Sequence, residues 1–326
     1  MSASTLSELT AARYGKTSVR VFRVVREGSW QHIVEYNVES LLEGAISTSY
    51  TEADNSVVVA TDSIKNITYY LAKISPHILN AEKFALHLGT FFVSKYAHIS
   101  KAFVTVEQLR WTRIQVPDNG KLVEHPHAFF RDGDDKRIVK VEVDGTAGKD
   151  KLVGKVVAGI SDLLVLKSTG SAFENFFRDE FTTLVPVNDR IFSTSVDLTY
   201  TFADIALPAP TDEKKFDFVV PVQKGADGYA GSVWDEDVPA RARTATLETF
   251  AVDESASVQA TLYKMAQRII AENAHVSTVS YSLPNKHYIP VDMKYIGVDN
   301  TTPAHAEVFV PIAHPSGLIT ATISRK

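Results

Sequence analysis

Thr61-Asp62-Ser63 is the first place in the chain where residue types and spacing suggest chemistry. Each of the three can cap a helix N-terminus. They follow a β-branched run, Val57-Val58-Val59, and precede Ile64, Ile67, Leu71 and Ile74 at helical spacing. A strand running into a helix here would turn free backbone N–H groups and the positive end of the helix dipole outward. That is a seat for an anion or a carbonyl oxygen. The same triplet also reads as a plain helix cap. Phe173 is ordinarily a core residue, but it also offers a stacking face to a planar heterocycle. Arg190, in Asn188-Asp189-Arg190, reads as a surface charge or as a fork for two adjacent heteroatoms. Gln259, beside Val258, is a polar flank residue or a reader of a carbonyl and N–H pair. Ser282-Leu283-Pro284-Asn285-Lys286-His287-Tyr288 brings an amide and an imidazole together after a strand, where a structural turn is the plainer reading. In His125-Pro126-His127 the alternate spacing can set two imidazoles on one side of a strand, the start of a zinc site. The proline and the nearby turn argue for an ordinary hairpin.

The elements that must hold these residues follow from periodicity. Residues 1–16 read as a polar lead-in. A β-rich stretch begins at Val19, turns at Glu27-Gly28-Ser29 and returns over about 32–47. After the Val57 strand and the Ile64 helix, a second helix is expected over Asn80–Tyr96, with Phe84, Leu88, Phe91 and Phe92 on one face. Strands over 102–114 and onward to 143 flank a turn at Pro117-Asp118-Asn119-Gly120. The second half repeats this order. Expected there are an apolar run at 162–166, a short helix at 172–178, a strand at 190–202 and a Pro/Gly-rich excursion at 206–235. Helices near 238–250 and 255–273 follow, then strands at 277–283, 306–310 and 319–323. Strands gathered around helix pairs argue for α+β with antiparallel sheet, not an alternating parallel fold. No dinucleotide-binding glycine pattern is present.

Composition narrows the classes. The 326 residues suit one large or two moderate domains, and 44% hydrophobic with 22% charged residues is ordinary for a globular protein. A net charge of -5 gives no electrostatic footprint for nucleic acid or an acidic membrane. With no cysteine there are no disulfides and no thiolate chemistry, as suits a reducing compartment. The sequence lacks a bilayer-spanning apolar run, signal-peptide features at its start and a Ser-Lys-Leu tripeptide at its end, so a cytoplasmic location is expected.

Ala60-Thr61-Asp62-Ser63-Ile64-Lys65-Asn66 resembles the signature of the urate oxidase (uricase) family. Tyr14-Gly15-Lys16, Leu41-Leu42-Glu43-Gly44, Arg110-Trp111-Thr112-Arg113 and Val165-Leu166-Lys167-Ser168-Thr169 are similar to family motifs too. So are the segments around Phe173, Arg190, Gln259 and Asn285. They occur in the family's order and cover essentially the whole chain, with least agreement over 206–235.

The resemblance implies two tandem tunnelling-fold (ββααββ) units, here 1–145 and 146–326, whose antiparallel sheets close into a barrel on oligomerisation with helices outside. It implies a homotetramer with active sites at subunit interfaces, urate and O2 as substrates, no cofactor, no metal, and 5-hydroxyisourate with hydrogen peroxide as products. Residue by residue, it implies that Phe173 stacks on the purine. Arg190 and Gln259 grip its polar edges, helped by the backbone amides of Val258 and Asp62. Lys16 and Thr61 form a proton relay with His287 orienting the lysine, and Asn285 holds dioxygen or water above the ring. Thr61 is expected from the subunit adjoining the one that supplies Arg190, and Lys16 is expected to meet that neighbour's Thr61 across the interface. The residue types suit the reaction: an amine as base, a threonine that passes a proton without charge, an arginine that stabilises a developing dianion. The alternatives are a metal-dependent tunnelling-fold enzyme acting on a pterin or purine, through histidines such as His125 and His127, and a purine-binding protein without catalysis.

Overall fold

The computed structural model describes residues 6–210, 212–217, 219, 222–224, 230–232, 237–312 and 314–326. In chain order the elements are β1 (Tyr14–Glu27), β2 (Trp30–Gly44), α1 (Thr48–Thr51), α2 (Thr61–Ile74), α3 (Ala81–Lys95), β3 (Ile99–Asp118), β4 (Lys121–Asp144) and β5 (Leu152–Lys167). There follow β6 (Phe192–Phe202), β7 (Ile205–Leu207), β8 (Val222–Lys224), β9 (Ala230–Ser232), α4 (Val238–Val252), α5 (Val258–Glu272), β10 (Val276–Pro290), β11 (Phe309–Ile312) and β12 (Leu318–Ser324). They form two compact units, residues 1–159 with 201–236, and residues 160–200 with 237–326. Part of the 206–235 excursion lies outside the described residues.

In the first unit the sheet order is β1-β2-β3-β4-β5, with β1, β2, β3 and β4 joined antiparallel in sequence, and β7 pairs with the start of β5. The β1–β2 turn is Gly28-Ser29, with Gly28 at φ +65. Along β2, Val34, Tyr36, Val38, Ser40 and Leu42 are buried at alternate positions, which marks one face of the sheet as core. Helices α2 and α3 belong to this core. Ile64, Thr68 and Leu71 of α2 are buried, and Tyr36 stacks on Phe84 of α3 with ring centroids 5.7 Å apart. The Tyr36 hydroxyl donates to the Ile78 carbonyl at 2.7 Å, which satisfies its one buried polar atom. Gly89 of α3 lets helix and sheet approach closely: a Cβ there would lie 2.5 Å from Val143 Cγ2.

Two expectations fail in this unit. Lys16 lies inside β1, not in a polar lead-in. The Val57 strand does not form. Asp54 Oδ1 accepts the Ser56 N–H and turns Asn55–Val57 into a 3-10 helix, and the Val59 N–H goes to the Tyr14 hydroxyl instead of a ladder. A side-chain turn and a tertiary bond override the β preference of three valines.

In the second unit the order is β5-β6-β10-β11, and β12 pairs antiparallel with β10. Helix α5 buries Val258, Leu262, Met265 and Ile269, the face expected from spacing. Thr246 of α4 and Tyr281 of β10 share a buried hydrogen bond of 2.7 Å. The short helix expected at 172–178 is absent. Phe173 instead pairs with Val187 in an isolated antiparallel bridge, and Asn175 sits at φ +56, which a helix cannot hold. Strand β10 runs on to Pro290, so Asn285 and His287 stand in a strand, not in a turn after one. The architecture is α+β with antiparallel sheet, as the sequence pattern implies. Among the described residues no helix is long and apolar enough to cross a membrane.

Candidate active site

The residues singled out in the sequence fall into two groups, one in each unit. In the first unit Tyr14-Gly15-Lys16 begins β1, opposite Leu42, Leu41 and Ser40 of β2. Gly15 is there for space: a Cβ would come within 1.9 Å of the Ser40 carbonyl oxygen. The Tyr14 hydroxyl accepts the Val59 N–H at 2.7 Å, which ties the start of β1 to the chain entering α2.

Helix α2 starts at Thr61 behind an N-cap, Ala60, that has no side chain able to cap. The N–H groups of Thr61, Asp62 and Ser63 therefore have no helical acceptor; the first closed bond runs from Ile64 N–H to the Ala60 carbonyl at 3.1 Å. The Asp62 side chain does not fill the gap. It accepts from Lys65 Nζ at 2.6 Å and Asn66 Nδ2 at 2.9 Å, both on its own helix. The Lys65 hydrogen bond and charge hold the Asp62 carboxyl below the usual range, and the Lys16 charge adds to this. Lys16 thus lies within electrostatic reach of the α2 N-terminus of its own chain. This corrects the expectation that Lys16 meets a neighbour's Thr61, because β1 and α2 of one protomer are joined by the Tyr14–Val59 bond. The Thr61 hydroxyl and the Lys16 amine have no hydrogen-bond partner among the described residues, and Thr61 is exposed.

In the second unit a small backbone lattice gathers the rest. Ser255 N–H donates to the Gly170 carbonyl at 3.0 Å, and Ala172 N–H to the Ser255 carbonyl at 2.9 Å. Phe173 exchanges two bonds with Val187, and Arg190 N–H donates to the Ser171 carbonyl at 2.8 Å. Three separate stretches (170–173, 187–190 and the approach to α5) are thereby fixed side by side. The guanidinium carbon of Arg190 lies 5.1 Å from the centroid of the Phe173 ring, within cation–π range. Arg190 is half-buried, its Nε is shut off from solvent with no partner, and burial pushes its pKa down.

Helix α5 is capped by Ser257, which accepts the Ala260 N–H at 3.1 Å and leaves the N–H groups of Val258 and Gln259 open. The Gln259 side chain is exposed. Below it, Thr261 donates to Asp253 Oδ2 at 2.6 Å and shares a 2.7 Å bond with Ser255, locking the helix start to the lattice.

Asn285 N–H donates to the Gly317 carbonyl at 2.8 Å, while its Oδ1 is buried without a partner. His287, opposite Ile312, lines a cleft of about 320 Å³ together with Arg190, Asp189, Ser168 and Thr301. The structure thus brings Phe173, Arg190, Val258 and Gln259 together through one lattice, and Arg190 and His287 into one cleft. It brings Lys16, Thr61 and Asp62 together in the other unit.

A uricase family model matches residues 12–142 and 156–320. The chain is 45% identical to the uricase of Emericella nidulans and 45% identical to that of Aspergillus flavus, with 98% of each chain covered in both cases. The crystal structure of uricase from Arthrobacter globiformis superposes with a TM-score of 0.78 at 33% identity, over 98% of this chain and 96% of that one.

The chain belongs to the uricase family.

Family membership makes it a urate oxidase, with the tunnelling fold of that family. Against uricase chemistry, Asp189 stands out as a residue that sequence reading passed over. Its carboxylate collects the N–H groups of Gly170 and Ser171 and the Thr169 hydroxyl, and so anchors the loop that carries Phe173. An aspartate just before the candidate clamp, with the Asx-turn habit of its type, was the available signal. His125 and His127 pack edge to face at 4.5 Å, and among the described residues no group of three or more metal-binding side chains occurs.

Proposed function

We propose that this chain oxidises urate without a cofactor, at sites that are each completed by two protomers. Urate, dioxygen and water give 5-hydroxyisourate and hydrogen peroxide; the purine loses two electrons and two protons, and dioxygen takes them up. Phe173 supplies the stacking face. Arg190 and Gln259 meet the two polar edges, with the Val258 amide beside them. The open α2 amides, that of Asp62 above all, and the Thr61 hydroxyl serve the remaining rim. Lys16 removes the proton and Thr61 passes it on, His287 orients the amine, and Asn285 holds dioxygen or water over the ring through an amide whose oxygen has no other partner.

Each unit alone is half of such a site. The second has the clamp and the platform; the first has the amine, the hydroxyl and the uncapped amides. Pairing of the first unit of one protomer with the second unit of its neighbour, in a homotetramer of tandem ββααββ units at 1–145 and 146–326, is the assembly that the resemblance implies. A cytoplasmic location belongs to the same reading, and the absence of cysteine suits it.

The observation that carries the proposal is Arg190: a half-buried guanidinium over an aromatic ring, with a buried N–H that finds no acceptor among the described residues. An unsatisfied charged donor beside a stacking face is a fit for an anionic planar ligand. The test is urate-dependent oxygen uptake by metal-stripped protein. Full turnover is expected with and without chelator. Activity that disappears on chelation and returns with a metal would refute cofactor-free chemistry.

A further inference from the structure

In β1, Val19, Val21 and Arg23 stand opposite Val38, Tyr36 and Val34 of β2. All the other members of these pairs are buried apolar residues on the helix-covered face. Directly opposed residues share a face, so Arg23 occupies the third position of a core row, where an apolar side chain belongs. Its Nε is shut off from solvent and has no hydrogen-bond acceptor among the described residues. A cation in that position without a partner calls for a ligand.

Arg23 opens into a cleft of about 390 Å³ between β1 and the second half of α2, lined also by Arg20, Arg26, Tyr69 and Lys73. None of the lining residues is acidic. Arg20 is engaged by Glu35, but Arg23, Arg26 and Lys73 have no carboxylate within ion-pair distance among the described residues. Three unneutralised cations in one cleft repel one another and raise the local concentration of anions. The C-terminal end of α2 opposes this with about half a negative charge, felt only within its last turn, which three full positive charges outweigh.

The geometry points to a second, oxyanion-binding site in this cleft, separate from the purine site and suited to a phosphate group, free or carried by a nucleotide. The Arg23 fork and the Lys73 ammonium match the oxygens of a phosphate, Arg26 adds its charge at the rim from the alternate face of the edge strand, Arg23 Nε gains its missing acceptor, and the Tyr69 ring borders the remaining space.

The test is calorimetric titration of the intact protein with sodium phosphate, at fixed pH and with ionic strength held constant by chloride. A parallel titration uses a nucleoside triphosphate. Saturable phosphate binding is expected, weakened about tenfold by Arg23→Gln or Lys73→Gln, the worth of one charge-assisted bond, and unchanged by Arg190→Lys. Tighter binding of the triphosphate than of phosphate assigns the cleft to a nucleotide; equal binding assigns it to free phosphate. Should Arg23→Gln fail to fold, Arg26→Gln and Lys73→Gln, both on exposed side chains, carry the comparison. Non-saturable heats, or equal affinity in the parent and the cleft variants, overturns the site. So does a phosphate response abolished by Arg190→Lys, which would put the anion in the purine site.

Discussion

Replacing Arg190 by lysine should move affinity and stability in opposite directions. In the free protein the Arg190 Nε is buried with no acceptor, an arrangement that costs roughly 1–3 kcal/mol. Lysine puts a methylene near that position and relieves the cost. At about 2.1 cal/mol/K of unfolding entropy per residue, each kcal/mol moves the midpoint of this 326-residue chain by about 1.5 °C, so the unliganded variant should unfold about 1.5 °C or more higher. Urate loses in the same exchange. The fork becomes a point charge, one charge-assisted bond worth about 1.5–3 kcal/mol disappears, and the cation–π contact with Phe173 weakens. The dissociation constant of a non-reactive purine analogue should rise by roughly 10- to 150-fold. The assay is calorimetric titration beside thermal unfolding, each with and without the analogue. Unchanged analogue affinity would refute the clamp. Lower affinity together with a lower melting point of the free protein would refute the argument from the orphaned N–H.

Lys16→Met should bind the purine analogue like the parent yet oxidise urate far more slowly; unchanged turnover would remove Lys16 from the chemistry. Since Lys16 and Thr61 share a unit, the complementing partner for Lys16→Met is Arg190→Lys. When the two are refolded together about half of the dimers are mixed, and roughly a quarter of all sites regain both native residues. Recovery confined to the average of the two variants, in mixtures shown by mass to contain mixed oligomers, would place the whole site in one chain. His87 is buried between the Ser75 hydroxyl at 2.8 Å and the Lys215 carbonyl at 3.0 Å, near His77 and Asp217, and burial holds its pKa below the ordinary 6.5. A depressed histidine contributes stability above its unfolded pKa, and loses it as pH falls from 6.5 toward the folded value. His87→Gln should therefore flatten the loss of thermal stability below pH 6.5, and parallel parent and variant curves there would contradict this. Gly89→Ala gains about 1 kcal/mol in helix propensity but meets Val143 at 2.5 Å, and overpacking costs about 1–3 kcal/mol. A net loss of up to about 2 kcal/mol is expected in chemical denaturation; a gain would show that the sheet yields.

The helices α2 and α5 and the long hairpins could be read from the chain because each buries one face, so periodicity records the burial, whereas α3, buried on nearly every side from Ala81 to Val93, was legible through its apolar length. Asn119-Gly120, at φ 49 and 78, shows its turn in two letters. What stayed hidden was decided by partners distant in sequence. Val57-Val58-Val59 has a strand's composition, but the Asn55 carbonyl takes the Val58 N–H and the Tyr14 hydroxyl the Val59 N–H that a ladder would need. Phe173 to Arg178 looks helical until the bridge to Val187 holds it extended. The chemistry of Arg190 and Gln259 could be guessed from residue type, whereas the lattice through Ser171 and Ser255 that sets them side by side leaves no local pattern. Lys16 was identifiable only through resemblance, and its place beside its own chain's α2 only through the structure.

A protein engineer scanning for weak points would stop at Ala60. An N-cap without a side-chain acceptor is a standard target, and Ala60→Ser or Ala60→Asp promises about 1 kcal/mol. On the proposed mechanism the defect is the function. A serine or aspartate would answer the very amides that the proposed mechanism keeps for the substrate, so the hardened enzyme would carry its own competitive inhibitor one covalent bond from the site. On the proposed mechanism the helix is left unfinished, and urate completes it on each turnover.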